Sequence, residues 1–351
     1  MKQLGFVMEQ TLGSITHDLN LRREERLARG FQPVWLPVDY APSRLPWAIS
    51  GSLRARRALT GALPTLDGAF IHSTTISLFA GDLARRCPTV LSTDGTAANK
   101  REMRGWYGLK PESRAAARAK AAIYRHAFRR ARGFVAWCSW ARRSLVEDYG
   151  CRPEDVEVIP PGVDTALFKP GPAADRLPRI LFVGGDFARK GGDLLLEVFR
   201  ARLRGKAELH LVTSAGLPAE PGVHLHRGIR ANSPELLALY SASDLFTLPT
   251  RGDCLPLVGL EALSAGLPLV VTNVGGLPDL VREGETGHVV KMNDGAALGD
   301  ALEELVRDEG LRRRMAARAR AVALANFDAQ ITSQRLFDFV GQRCGASPRG
   351  M

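Results

Sequence analysis

Leu245-Phe246-Thr247-Leu248-Pro249-Thr250-Arg251-Gly252-Asp253-Cys254-Leu255-Pro256-Leu257-Val258-Gly259-Leu260-Glu261-Ala262-Leu263-Ser264-Ala265-Gly266 runs from an apolar strand through a turn-rich loop into a helix. Leu245–Leu248 has the length and flanks of a buried strand, and a helical pattern opens near Leu257. Strand, loop and helix in that order make one βα unit, the building block of a parallel sheet covered by helices.

The same alternation extends outward in both directions. On the amino-terminal side the strand candidates are Gly5–Met8, Val34–Leu36, Ala69–His72, Thr89–Ser92, Phe134–Trp137 and Val156–Ile159, with helical stretches such as Ile15–Arg29, Ile76–Arg86, Glu112–Arg132 and Trp140–Tyr149 between them. A second series contains Ile180–Val183, Glu208–Val212, Val223–His226, Leu245–Leu248, Leu269–Thr272 and His288–Val290. Its helices include Asp193–Leu203, a start at Ser233-Pro234-Glu235 and Leu257–Ser264. Ile159-Pro160-Pro161-Gly162-Val163-Asp164 and Lys169-Pro170-Gly171-Pro172 can continue neither a helix nor a central strand, so a linker is expected there. The expected architecture is α/β: two doubly wound domains, 1–165 and 173–326, facing across a cleft, then a C-terminal helix and tail, 327–351. Ligands of such sheets sit beyond the carboxyl ends of the strands.

A length of 351 residues suits two domains, and 45% hydrophobic with 24% charged residues suits a globular chain rather than a disordered one. No apolar run is long enough to span a bilayer, and Glu9 interrupts the first apolar segment too early for a secretory signal. Five cysteines, Cys87, Cys138, Cys151, Cys254 and Cys344, form no C-x-x-C pair, which disfavours a zinc ribbon or a disulfide framework and fits a reducing cytoplasm. The net charge of +11 is uneven: +9 falls in residues 1–165 and +2 in 166–351. Eleven basic residues between Lys100 and Arg132 face only Glu102 and Glu112. Two readings stay open, a solvated helix face or a patch for an anionic partner such as a membrane surface. Nucleic acid is not expected, because no aromatic-interleaved motif accompanies the charge.

Asp253 in the loop and Glu261 a turn into the helix can point to one side of an opening, with free backbone N–H groups at the helix start between them. A nucleotide sugar needs those parts together: N–H groups for the diphosphate and carboxylates for hydroxyls. The alternative is that Asp253 caps the helix and Glu261 is merely exposed. After the next strand, Gly275-Gly276 permits close backbone approach and Pro278 can start a helix. Upstream, Gly184-Gly185-Asp186-Phe187-Ala188-Arg189-Lys190-Gly191-Gly192 places two cations at a strand's end, without matching a P-loop or a dinucleotide fingerprint.

These stretches, with Ile159-Pro160-Pro161-Gly162-Val163-Asp164, resemble glycosyltransferase family 4, whose members are retaining enzymes of GT-B fold that use nucleotide sugars. The resemblance is strong over Val156–Val290 and weaker before it. It places the family's E-x7-E motif on Asp253 and Glu261, with the first Glu shortened to Asp. It implies that Glu261 binds the donor ribose, Asp253 the transferred sugar and Lys190 the diphosphate. It further implies a donor site that includes Gly184, Gly185, Arg189, Cys254, Leu255, Leu257 and Val258. The family's arginine after the strand falls on Gly185 here, which leaves its phosphate contact to another group such as Arg189.

The first strand leads into Glu9-Gln10-Thr11-Leu12-Gly13-Ser14-Ile15-Thr16-His17. Gly13 is the candidate for approach to the diphosphate, and Glu9, Thr11, His17, His72 and Asp94 are the candidates for the acceptor. His17 can handle a proton or bond a hydroxyl, or be ordinary surface. Asp94 stands where many family members carry histidine, and either orients the acceptor or makes a turn. No D-x-D occurs, so no metal or other cofactor is expected. The resulting expectation is a cytoplasmic hexosyltransferase working from a UDP- or GDP-sugar to an acceptor hydroxyl. Competing readings are a nucleotide-sugar epimerase and a catalytically silent sugar-nucleotide-binding protein.

Overall fold

Short runs of branched and aromatic residues bounded by turn residues become twelve strands in two six-stranded parallel sheets. The computed structural model describes residues 1–108, 111–172 and 174–345, and at Leu12 the backbone alone; Lys110 of the basic stretch and the tail after 345 lie outside the described residues.

The first sheet comprises β1 (Lys2–Gln10), β2 (Phe31–Asp39), β3 (Gly68–His72), β4 (Thr89–Thr93), β5 (Gly133–Ala136) and β6 (Val156–Val158), in the order β2-β1-β3-β4-β5-β6. Pro33 and Pro37 are tolerated in β2 because it is an edge strand. The second comprises β7 (Arg179–Val183), β8 (Glu208–Val212), β9 (Val223–His226), β10 (Leu245–Leu248), β11 (Leu269–Thr272) and β12 (Gly287–Val290), in the order β12-β11-β10-β7-β8-β9. Strand order reverses at β1/β3 in one sheet and at β7/β10 in the other. Loops leaving those four strands therefore splay apart and open a crevice within each unit.

Among the described residues, one compact unit holds 1–105, 111–162 and 329–345, and the other 106–108 and 163–328. The last helix, Ala329–Arg343, belongs to the first unit, because its apolar face supplies core that the sheet needs. Phe337 sits edge-on to Phe6 at 5.7 Å and to Phe31 at 6.2 Å. Arg343 Nη1 pairs with Asp155 Oδ1 at 2.7 Å. Gly162 admits no side chain, since a Cβ there would stand 2.5 Å from the Cα of Ala329.

All twelve expected strands are present, Glu208–Val212, Val223–His226, Leu245–Leu248 and Leu269–Thr272 with the expected limits and the others with ends shifted by up to three residues. The helix start at Ser233 is also observed: its side chain accepts from the N–H of Leu236, with Pro234 in the first turn. Ile76–Arg86 is not a helix. It is broken into the 3-10 turns Thr74–Ile76 and Leu83–Arg85. Gly81 lies beside the helix Arg114–Phe128, where a Cβ would make ordinary contact with Ala127 at 3.4 Å. Asp193–Leu203 is likewise split, an α-helix Gly192–Val198 running into a π turn Phe199–Leu203.

Candidate active site

The two loops at the β7/β10 switch point are tied together by backbone. Gly191 has φ +76° and lies against Pro249, where a Cβ would come within 2.0 Å of the carbonyl oxygen. The N–H of Arg251 and the hydroxyl of Thr250 both donate to the carbonyl of Arg189, at 2.8 and 3.1 Å. This seam brings Lys190 Nζ to 2.9 Å and Arg189 Nη1 to 3.2 Å from one oxygen, Oδ1 of Asp253. The other carboxylate oxygen, Oδ2, is buried and has no hydrogen-bond partner among the described residues. A buried anionic oxygen left open in this way is a strong acceptor awaiting a donor. Tyr107 packs with this unit, its ring 4.8 Å below the Arg189 guanidinium.

Asp253 does not cap the following helix. Pro256 occupies the cap of Leu257–Ser264, no side chain caps it, and its first N–H groups keep their positive end for an anion. Cys254 and Leu255 are buried under the loop, while Leu257 and Val258 are half-buried at the helix start. Gly184 packs on the Lys190 stem, and Gly185 has open space where a side chain would begin.

Glu261 is not exposed either, at 7%. The Tyr240 hydroxyl donates to its Oε2 at 2.8 Å. Burial pushes the Glu261 pKa up to about 7, against a smaller lowering by the Tyr240 hydrogen bond. The same burial, and then the Glu261 charge, raises the Tyr240 phenol well above its ordinary value and keeps it a donor.

Gly275 and Gly276 serve the Asp253 loop by holding it from below. Gly275 has φ +59°, and a Cβ there would stand 2.0 Å from the carbonyl oxygen of Asp253. The N–H of Gly276 donates to the carbonyl of Cys254 at 2.6 Å. Gly275→Ala is therefore expected to cost about 1–3 kcal/mol of stability and to push Asp253 out of place. Urea unfolding checks the first effect, and an unchanged midpoint would show that the loop yields freely.

In the first unit, the β1/β3 switch point gathers a second polar group. Glu9 is held on both oxygens, by Trp47 Nε1 at 2.5 Å and by the Ser73 hydroxyl. His72 stacks on Trp137 with ring centroids 4.9 Å apart, and its nitrogens meet Ser14 Oγ at 3.3 Å and Ser92 Oγ at 3.2 Å. His17 lies edge-on to both rings, and both of its nitrogens, like Trp137 Nε1, are buried without hydrogen-bond partners among the described residues. Burial lowers His72 to about 3, and burial followed by the His72 charge holds His17 well below its ordinary value. Both imidazoles are thus neutral hydrogen-bonding groups at physiological pH rather than cations.

His17 is not the surface residue that a lone helical histidine usually is; it is 3% exposed. Gly13 is the second residue of the helix Leu12–Arg23 and not part of the preceding loop, because that helix begins earlier than Ile15. Thr11 occupies the cap of that helix without a side-chain cap bond. Asp94 accepts from Lys100 Nζ at 3.1 Å in the turn after β4. Sequence reasoning missed Tyr240 and Trp137. No local spacing announces either, since each reaches its partner only through sheet packing.

Two family patterns match the chain, the one described as Glycosyltransferase Family 4 over residues 15–167 and the one described as Glycosyl transferases group 1 over residues 177–308. A D-inositol 3-phosphate glycosyltransferase of Nocardia farcinica is 32% identical over 238 residues, 58% of this chain and 52% of that protein. The chain matches only about half the length of such curated relatives. Sucrose-phosphate synthase from Thermosynechococcus elongatus has the same fold, with a TM-score of 0.78 over 99% of this chain and 100% of that one at 16% identity. Anabaena HepE in complex with UDP-glucose superposes with a TM-score of 0.74 over 97% and 100% of the two chains at 17% identity. Two parallel sheets of this topology, matched across both halves by these patterns, place the chain in the group 1 glycosyltransferases, family 4, of GT-B fold.

Proposed function

We propose that the protein moves a hexose from a UDP- or GDP-sugar to an acceptor hydroxyl, with retention at the anomeric carbon. The observation that carries this reading is the convergence of Lys190 and Arg189 on one oxygen of Asp253 while its other oxygen is open. A diphosphate entering beside the helix start competes for both cations, and Asp253 then accepts from a hydroxyl of the transferred sugar. The ionised Glu261, oriented by Tyr240, accepts from the ribose. In the reaction the bond from the anomeric carbon to the diphosphate oxygen breaks and a bond to the acceptor oxygen forms. The acceptor proton passes to the departing diphosphate on the same face. Lys190, Arg189 and the helix N–H groups neutralise the charge that builds there, so the reading invokes no metal.

The curated relatives' name, and the UDP-glucose held by HepE, support a nucleotide-sugar donor and a polyol or sugar acceptor. The exposed Arg114, Arg118, Arg125 and Arg129 suit an acceptor carried on an anionic surface. No helix among the described residues is long and apolar enough to cross a membrane.

Thermal-shift measurements with UDP, GDP, ADP and their sugars test the donor. A true donor at a hundredfold excess over Kd stabilises by about 2.7 kcal/mol, a rise of several degrees in Tm. The best donor is then offered sugar and polyol acceptors, and the anomeric coupling of the product is read by NMR. No shift with any nucleotide, or a product of inverted configuration, would sink the reading.

A further inference from the structure

Three histidines and a glutamate that the proposed activity does not use gather on one face of β8 and β9. Alternate residues of a strand share a face, which brings Glu208 and His210 together with His224 and His226. His210 stands opposite His224 in the strand register, and the two rings stack with centroids 4.6 Å apart. One ligand atom from each of Glu208, His210 and His224 lies within 4.8 Å of the others. His210 Nε2 is 3.6 Å from Glu208 Oε2, and His224 Nε2 is 3.8 Å from Oε1. Those gaps are too long for hydrogen bonds, yet near the spacing of ligands that each lie ~2.1 Å from a shared ion.

His210 is 8% exposed, and its Nε2 has no hydrogen-bond partner among the described residues. On the far side of the ring, Nδ1 lies 3.0 Å from His226 Nε2. With Nδ1–H donating to His226, the Nε2 lone pair points at Glu208 and His224, the way an outer partner orients a metal-binding imidazole. Arg179 Nε donates to Glu208 Oε2 at 2.8 Å, leaving Oε1 for an ion.

We infer that Glu208, His210 and His224 bind one divalent transition-metal ion of the zinc class, with His226 orienting His210. Two imidazoles and a carboxylate select such an ion over magnesium or calcium, and three protein ligands leave one position for water. The ion would tie the edge strand β9 to β8. Glu208 pairs with Arg179 at the amino end of β7, whereas the Lys190 loop leaves its carboxyl end, so this site stands or falls apart from the proposed activity.

Tag-free full-length protein, stripped with chelator, is titrated with zinc in a calorimeter. One equivalent should bind, with no comparable heat from magnesium. His224→Ala should abolish that equivalent, and because this ring is exposed the variant is expected to fold. His226→Ala should weaken zinc by about ten- to a hundred-fold. Absence of stoichiometric zinc binding, or zinc affinity unchanged in His224→Ala, would overturn the assignment.

Discussion

Lys190→Ala lowers kcat by about a hundred- to a thousand-fold, the size of effect seen when one charge-stabilising donor is removed from a developing oxyanion. The Lys190 side chain is 13% exposed, and its ammonium lies 2.9 Å from Asp253. In so dry a place a positive charge acts on a departing diphosphate with little screening. The charge on the leaving group is larger in the transition state than in the bound donor, so the loss should fall mainly on kcat and less on KM. Arg189 still pairs with Asp253 at 3.2 Å, so the loop should keep its shape and the variant its Tm. Lys190→Arg should not restore the rate fully, because a planar fork cannot stand where a compact ammonium stood. Single-turnover transfer with the best donor measures this, and a rate within twofold of the parent would remove Lys190 from the reaction.

Glu261→Gln is expected to stabilise the fold at alkaline pH while weakening the donor by about ten- to a hundred-fold, the worth of a hydrogen bond to a charged group. The folded pKa of about 7 lies above the ordinary 4.5, so the folded chain holds this proton more tightly than the unfolded chain does. The stability of the neutral form is fully present below about pH 4.5 and is lost as pH rises through 7. Over that window the wild type gives up about 3 kcal/mol at 1.36 kcal/mol per pH unit, and glutamine, which still accepts from Tyr240, does not. The variant should therefore melt several degrees higher at pH 8 and together with the wild type at pH 4.5. Wild-type affinity for the nucleotide should rise between pH 6 and 8 as the carboxylate forms, and the variant's should stay flat. Equal melting at pH 8 together with equal affinity would mean that Glu261 is neither strained nor in contact with the donor.

Both predictions concern groups whose type and spacing stand out along the chain. The Arg189-Lys190-Gly191 turn and the Asp253–Glu261 pair each follow a strand that period and flanking turns identify. Parallel sheets bury both faces of their strands, so Leu245–Leu248 and Leu269–Thr272 read as plain apolar runs and their limits are met to the residue. The segment Ile76–Arg86 misleads for the opposite reason. Its helical spacing is real, but the chain there forms two separate 3-10 turns, Thr74–Ile76 and Leu83–Arg85, beside the helix Arg114–Phe128. Local preference yields to a contact that sequence distance hides.

The amino-acid sequence by itself determined the α/β class, the alternation of strands and helices and the carboxylates and cations at two strand ends, because these follow from periodicity and turn chemistry acting over a few residues. Only the tertiary structure decided that Lys190 and Arg189 share one Asp253 oxygen, that Tyr240 donates to a Glu261 whose pKa burial raises to about 7, and that three distant rings, His17, His72 and Trp137, meet. Each of those depends on strand order. Which loops become neighbours at a switch point is set when the sheet assembles, and burial, which governs charge and hydrogen bonding there, exists only once it has.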